Sequence, residues 1–389
     1  TGETGGPTLQ ICAPPDPRGP TSLFPTANRL HVNTRESVVR QALLLRPGER
    51  VRVATIEETE RILRSGRNLS DVRLRPLAVR GNVVDIEVRT RDAWSLDFGV
   101  SFSRQGGNST SSANIKEYNL LGTGTSLFAG RRNDVDRSGN EFAIAKDRVF
   151  GTWTDVSLHH VRNDDGDRNA VSVVRPFYAL DARWAAGASW TRNDRIEANY
   201  VTGDIASEYR YREERAEVFG GLSRGLVGDW VNRYSAGLRL QDDKYATEPG
   251  RVAPGALALD QKLVYPFVRL EVVEDRFERK ENRNQMGRPE FFALGLSSHL
   301  DVGHAGAALG SSRDSWVYSA GVSRGYELPG ERTFLAQAEI RGQYAGGRIE
   351  RQQAGGRGQY YVPHHRRLLF YASPSADVPT NPGPTDALL

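Results

Sequence analysis

Four side-chain groupings in this 389-residue chain have the composition of reactive or ligand-binding sites. Gly221-Leu222-Ser223-Arg224-Gly225 and Gly321-Val322-Ser323-Arg324-Gly325 both fit G-x-S-x-G, the spacing of a serine nucleophile elbow. An elbow needs a sharp strand-to-helix turn. Each of these runs instead ends an alternating strand with no helical sequence after it, so each reads as an inward small residue followed by a turn. His159-His160 and His364-His365 are adjacent pairs. Neighbours on a strand point to opposite faces, so such a pair does not chelate one ion. Asn163-Asp164-Asp165-Gly166-Asp167 carries the oxygen donors of a weak calcium loop but reads as a solvated connector. Gly122-Thr123-Gly124 follows a strand and lacks the third glycine and the helix of a nucleotide loop. The expectation is no catalytic residue, no metal, no cofactor and no enzymatic activity.

What the residues do build is strand. From Ser95 to Arg104 the sequence alternates: Leu96, Phe98, Val100 and Phe102 are apolar, and Ser95, Asp97, Gly99, Ser101 and Ser103 are polar or small. A period of two gives one greasy and one wet face. The same pattern recurs at Phe142/Ile144, Val156/Leu158, Trp184 to Trp190, Tyr234 to Leu240, Val268 to Val272, Phe292 to Leu296, Trp316 to Val322 and Phe334 to Ile340. It predicts about 12 to 14 strands of about ten residues, the length that crosses a bilayer when tilted. Arg239, Arg269, Glu271, Glu339 and Arg341 fall mid-strand on the wet faces. Charges there suit a water-filled lumen with paired side chains better than the surface of a soluble β-sandwich. Trp153, Trp184, Trp190, Trp316 and Tyr234 sit at strand ends or on the greasy faces, as interfacial girdles do.

Composition agrees. Hydrophobic residues make up 38% and mean hydropathy is −0.53, with no apolar run long enough for a membrane helix. Barrel strands are half polar and escape such a test. A net charge of +4, with no basic cluster interleaved with aromatics, points away from nucleic acid. The single cysteine, Cys12, excludes an internal disulfide and a cysteine zinc site. Its LQIC context is faintly lipoprotein-like, but Ile11 is not the small residue expected there, and Cys12 reads as a linker thiol.

Three regions follow. Residues 1–27 are a Pro/Gly-rich linker or leader. Residues 28–92 form a compact unit: a strand at Asn28 to Asn33, a helix N-capped by Thr34, a second helix opened by a Thr55-x-x-Glu58 capping box, a strand from Leu69 to Leu77, a Gly81-Asn82 turn and a strand from Val83 to Thr90. Residues 93–389 form the barrel. The tail, ASPSADVPTNPGPTDALL, reads as loop, so the barrel is expected to be unclosed.

The β-α-α-β-β order, with NRLHVNTRESVVRQALLLRPGERV, the SGRNLSDVR stretch and VDIEVRTRDAWSL, resembles a POTRA domain. Trp94 and the run Asn119-Leu120-Leu121-Gly122-Thr123-Gly124 resemble the start of the barrel in the Omp85 (BamA/TamA) superfamily, whose barrel is of the bacterial surface antigen D15 type. The expected fold class is thus an α+β POTRA-like domain followed by an all-β antiparallel transmembrane β-barrel. The superfamily's Arg-Gly-Phe/Tyr gating loop has no counterpart in the expected place. Arg324-Gly325-Tyr326 ends a strand, so that loop and the last strands are expected to be missing.

The resemblance implies an outer-membrane factor with its POTRA-like unit in the periplasm. It would insert or translocate unfolded outer-membrane or secreted clients, in contact with outer-membrane lipids and with accessory periplasmic lipoproteins as further partners. Clients would add by β-augmentation to unit edges carrying Asn28, Leu30, Val32, Leu69, Val72 and Leu74, and at a seam formed by Leu96, Phe98, Gly99, Val100 and Phe102. A two-partner-secretion transporter or passive pore is the alternative. An outer-membrane esterase using Ser223 or Ser323 is a third reading.

Overall fold

The structure, a computed structural model, describes residues 32–81, 83–105, 108–284, 289–365 and 368–381. The leader with Cys12, the stretch 28–31, Asn82 and the last eight residues lie outside the described residues. Within the N-terminal unit, α1 (Glu36–Gln41) and α2 (Val53–Ser65) pack on an antiparallel pair, β1 (Leu69–Arg80) and β2 (Val83–Asp92). The core is Val39, Ala42, Leu63, Leu69, Val72, Leu74 and Val88, all buried. Each such side chain contributes about 1.5–3 kcal/mol of burial. Of the expected β-α-α-β-β order, the described part is α-α-β-β; Val32 and Asn33 are not strand.

Neither predicted helix cap is used as such. Arg35 and Arg52 flank the helix starts and no side chain caps them. Thr34 bonds elsewhere, and Thr55 and Glu58 lie inside α2, which opens three residues earlier than the capping box implies. Both side chains face the rest of the protein, and contacts there outcompete the local cap.

The remainder is one long antiparallel sheet. Its first strands are β3 (Leu96–Gln105), β4 (Asn108–Leu120), β5 (Thr125–Asn133), β6 (Ser138–Lys146), β7 (Asp155–Asn163) and β8 (Asp167–Arg175). Longer strands follow: β9 (Trp184–Val201), β10 (Asp204–Val227), β11 (Trp230–Thr247) and β12 (Gln261–Glu274). A separate hairpin, β13 (Phe277–Glu281) and β14 (Pro289–Ala293), interrupts the series. Then come β15 (Ser297–Ala305), β16 (Ser315–Leu328), β17 (Arg332–Ala345), β18 (Arg348–His365), β19 (Leu368–Ala372) and β20 (Ser375–Thr380). Neighbours in sequence pair, β12 pairs with β15 across the hairpin, and both β19 and β20 pair with β18.

The sheet has 16 strands, more than the 12 to 14 expected, and among the described residues its two ends do not pair with each other. The expectation of a tail without strand is corrected, because β20 lies inside it. Pro374 and Pro379 make that tail read as loop. An edge strand tolerates proline, since the missing N–H faces no partner.

Register sorts the two faces. Trp184, Leu222, Tyr234, Leu270, Leu300, Ala320, Ile340 and Ala354 lie side by side across β9 to β12 and β15 to β18. One residue along, the row Gly221, Ser235, Arg269, Asp301, Ser319, Arg341 and Gln353 faces the other way. A period of two forces this segregation. The first row is outward: Leu222 is 70% exposed and Tyr234 59%. In β3, Phe98, Val100 and Phe102 are also outward, with Val100 at 85%. Among the described residues, nothing covers this apolar face. The second row lines a charged interior.

Candidate functional site

The interior is built from ion pairs. On β11, Arg239 donates from Nε to Glu217 Oε2 at 2.6 Å and from both terminal nitrogens to Asp301 at 2.8 Å. Its guanidinium lies 4.0 Å over the Phe267 ring. Arg269 Nε donates to the same Asp301 at 2.9 Å. Asp301 comes from β15 and Glu217 from β10, so the cluster spans four neighbouring strands. Bidentate, charge-assisted geometry of this kind is strong and directional. A second cluster surrounds Asp243, which accepts from Arg215 Nη2 at 2.7 Å, Tyr211 Oη at 2.8 Å and Arg351 Nη1 at 3.3 Å. The sequence expectation of paired luminal charges holds for Arg239 and Arg269. Glu271 and Glu339 line interior cavities, and Arg341 donates to Gln353.

The unit meets the sheet at one end. Asn119 closes β4, and its Nδ2 donates to Thr34 Oγ1 at 2.8 Å while its Oδ1 accepts from Gly124 N at 2.8 Å. Thr34 N donates to Asp92 Oδ1 at 2.8 Å, and Arg35 N to Gly122 O at 2.9 Å. Gly122 has φ +72°, and a Cβ there would lie 2.3 Å from Asn33 O, so both conformation and space require glycine. The Asn119-to-Gly124 motif is therefore the joint between unit and sheet.

A second contact joins α2 to the β8–β9 connection. Glu58 Oε1 accepts from Leu180 N at 2.7 Å, and Arg52 pairs with Asp181. Burial pushes the Glu58 carboxyl above its ordinary pKa. The Leu180 N–H and Arg61 pull it back, and Asp275 and Asp181 add to the rise.

The other sequence candidates fall as follows. Asn28 and Leu30 lie outside the described residues. Val32 is half exposed; Leu69, Val72 and Leu74 point into the unit core, so an added strand would meet β1 through its backbone. Leu96, Phe98, Gly99, Val100 and Phe102 lie on β3, the end strand, which pairs only with β4. Gly99 faces inward against Asn114. Trp94 is exposed just before β3, and Leu120, Leu121 and Thr123 complete the joint.

Ser223 Oγ donates to Asn232 O at 2.8 Å within the sheet, and Ser323 lies within β16; neither sits on a strand-to-helix elbow. His159 faces inward, its Nε2 2.8 Å from Glu141 Oε1, and His160 faces outward against Asn169. In the acidic loop, Asp165 accepts from Ile196 N at 3.2 Å and lies 3.5 Å from Arg137 Nε. Among the described residues, no group of three or more such side chains is placed to hold a metal.

Two features escape the sequence. The Glu58–Leu180 contact joins residues 122 apart. The β13–β14 hairpin reads as an ordinary strand, because its Phe292 and Leu294 alternate like lipid-facing residues.

No family model matches the sequence, and no curated protein matches it. Solved structures are similar in fold, two of them as follows. One is BamA from Haemophilus ducreyi lacking POTRA domains 1–3, with TM-score 0.39 and 11% identity, covering 90% of this chain and 70% of that one. The other is CdiB from Acinetobacter baumannii, with TM-score 0.46 and 12% identity, covering 90% of this chain. The chain spans 62% of the CdiB length.

Proposed function

We propose that this chain is an outer-membrane barrel of the Omp85 type, carrying a periplasmic POTRA-like unit at 28–92, that inserts or translocates other proteins. One observation carries the reading: the outward apolar row beside the inward charged row, in a sheet whose end strand β3 has, among the described residues, β4 as its one neighbour. A continuous exposed apolar face of this extent needs lipid to cover it. A free strand edge with outward Phe98, Val100 and Phe102 is a template for an extended client, which would pair through backbone groups with little sequence demand. The clients are unfolded outer-membrane or secreted proteins, the solvent is outer-membrane lipid, and accessory periplasmic lipoproteins are further partners. The chemistry is non-covalent, with no cofactor and no catalytic serine.

A transport pore of the two-partner-secretion type is the second reading, and the charged interior favours it. One experiment separates the two. The full chain is refolded in detergent, run unboiled and boiled on a gel, and placed in proteoliposomes with an unfolded barrel client. Faster unboiled migration with accelerated client folding supports the insertion factor. The same shift with ion conductance and no effect on clients supports the pore. Full water solubility with no shift overturns both.

A further inference from the structure

The β13–β14 hairpin sits between the unit and the inner wall of the sheet. Its second strand and the residue after it, Phe292 and Leu294, are buried against Leu335 of β17 and Tyr361 of β18. These wall positions are inward, sharing the parity of Arg341 and Gln353. Phe292 meets the Tyr361 ring edge-on at 5.4 Å. Gly325 N of β16 donates to Leu294 O at 3.1 Å, and a Cβ on Gly325 would collide with the Leu294 side chain at 2.5 Å. Lys280 pairs with Glu327 at the end of β16.

The opposite side of the hairpin faces α2. The Arg61 guanidinium lies 3.9 Å over the Phe277 ring, and Arg279 Nη1 is 3.9 Å from Glu60 Oε1. The hairpin leaves β12 and returns to β15 at the end of the sheet where the unit sits, so it occupies the unit-side mouth of the lumen.

We propose that this hairpin is a mouth plug coupled to the unit: it narrows the lumen at rest and withdraws when the unit shifts. The inference rests on the barrel reading above. Grip on the wall is apolar and extensive, through Phe292 and Leu294. Among the described residues, grip on the unit includes one cation–π contact and one long ion pair, both polar and weaker than the wall packing. A shift of α2 therefore removes the hairpin's support on the unit side first and leaves it seated by its wall contacts alone.

The test uses the full chain with Cys12 changed to serine, reconstituted in planar bilayers and in client-insertion proteoliposomes. K280C/E327C locks the hairpin to the wall when oxidised. F292S loosens it. Expected results are a several-fold rise in open conductance for F292S, and loss of conductance openings and of client insertion for oxidised K280C/E327C, both restored by reductant. If F292S fails to show heat-modifiable migration, the locked pair alone decides, since it keeps the packing. Unchanged conductance and insertion in the oxidised pair, in a barrel that still migrates fast unboiled, overturns the plug. Failure of wild type to insert into bilayers overturns the barrel reading itself, a separate outcome.

Discussion

Asn119 and Thr34 stand 85 residues apart and share a buried hydrogen bond of 2.8 Å. The asparagine amide is used at both ends, since its Oδ1 also holds Gly124 N. Asn119 is 2% exposed, so neither partner has water to turn to. A loop motif and the entrance to the first helix are thereby one structural unit.

Asn119→Ala leaves the Gly124 N–H without its acceptor and takes one donor from the Thr34 hydroxyl, which keeps its bond to Asp92. Losing two buried hydrogen bonds costs about 2–3 kcal/mol. The unit should become susceptible to protease at a lower temperature while the sheet keeps its heat-modifiable migration. Simultaneous loss of both signals would place the residue in sheet folding and not in the joint.

Arg239→Ala strips Asp301 and Glu217 of their main counter-charge. Asp301 is 3% exposed and keeps Arg269, but a buried carboxylate that loses a bidentate partner is costly. The urea midpoint of unfolding in micelles should fall, by about 3 kcal/mol in stability. The double change Arg239→Met with Asp301→Asn should recover part of the loss, because removing both charges is cheaper than removing one. A double variant no better than the single would refute the pairing.

Val100→Arg and Ser101→Arg test the two faces of β3 with adjacent residues. An arginine on the lipid face costs about 2–4 kcal/mol near the bilayer midplane, and an inward one is tolerated. Membrane-inserted yield should drop for the first and hold for the second. Equal yields would show that the outward face does not meet lipid.

Glu58 gives a pH prediction. Its carboxyl titrates above the ordinary value chiefly because the docked state buries it. The neutral form is thus favoured in the docked state. That contribution is complete below the ordinary carboxylate pKa and is lost as pH rises through the raised value. Docking of the unit, read as protease protection, should strengthen on acidification through that window. Glu58→Gln keeps an oxygen for Leu180 N and removes the titration, so its protection should be flat with pH. A retained slope would assign the effect to another group.

The sheet was legible in the sequence because alternation is local: Leu96 to Ser103 announces two faces, and Arg239 and Arg269 announce a wet interior. The helix caps misled, because Thr34 and Glu58 carry the residue types of local caps and spend them on Asp92 and Leu180, which no local pattern reveals. Phe292 and Leu294 misled for a related reason. Apolar alternation looks the same whether it meets lipid or the inside of a mouth, and only the pairing partner tells them apart. In the tail, proline content outweighed a short edge strand.

Arg351 sits at an irregularity in β18, with φ +47°, and reaches Asp243 on β11 with four strands between them in the sheet. An open sheet can relax its curl at its free borders. This contact is a chord across the arc, so a guanidinium on a carboxylate helps to hold the curl where the borders do not pair. The curl between β11 and β18 is then set in part by a side-chain contact that can break and re-form while the backbone ladders stay whole.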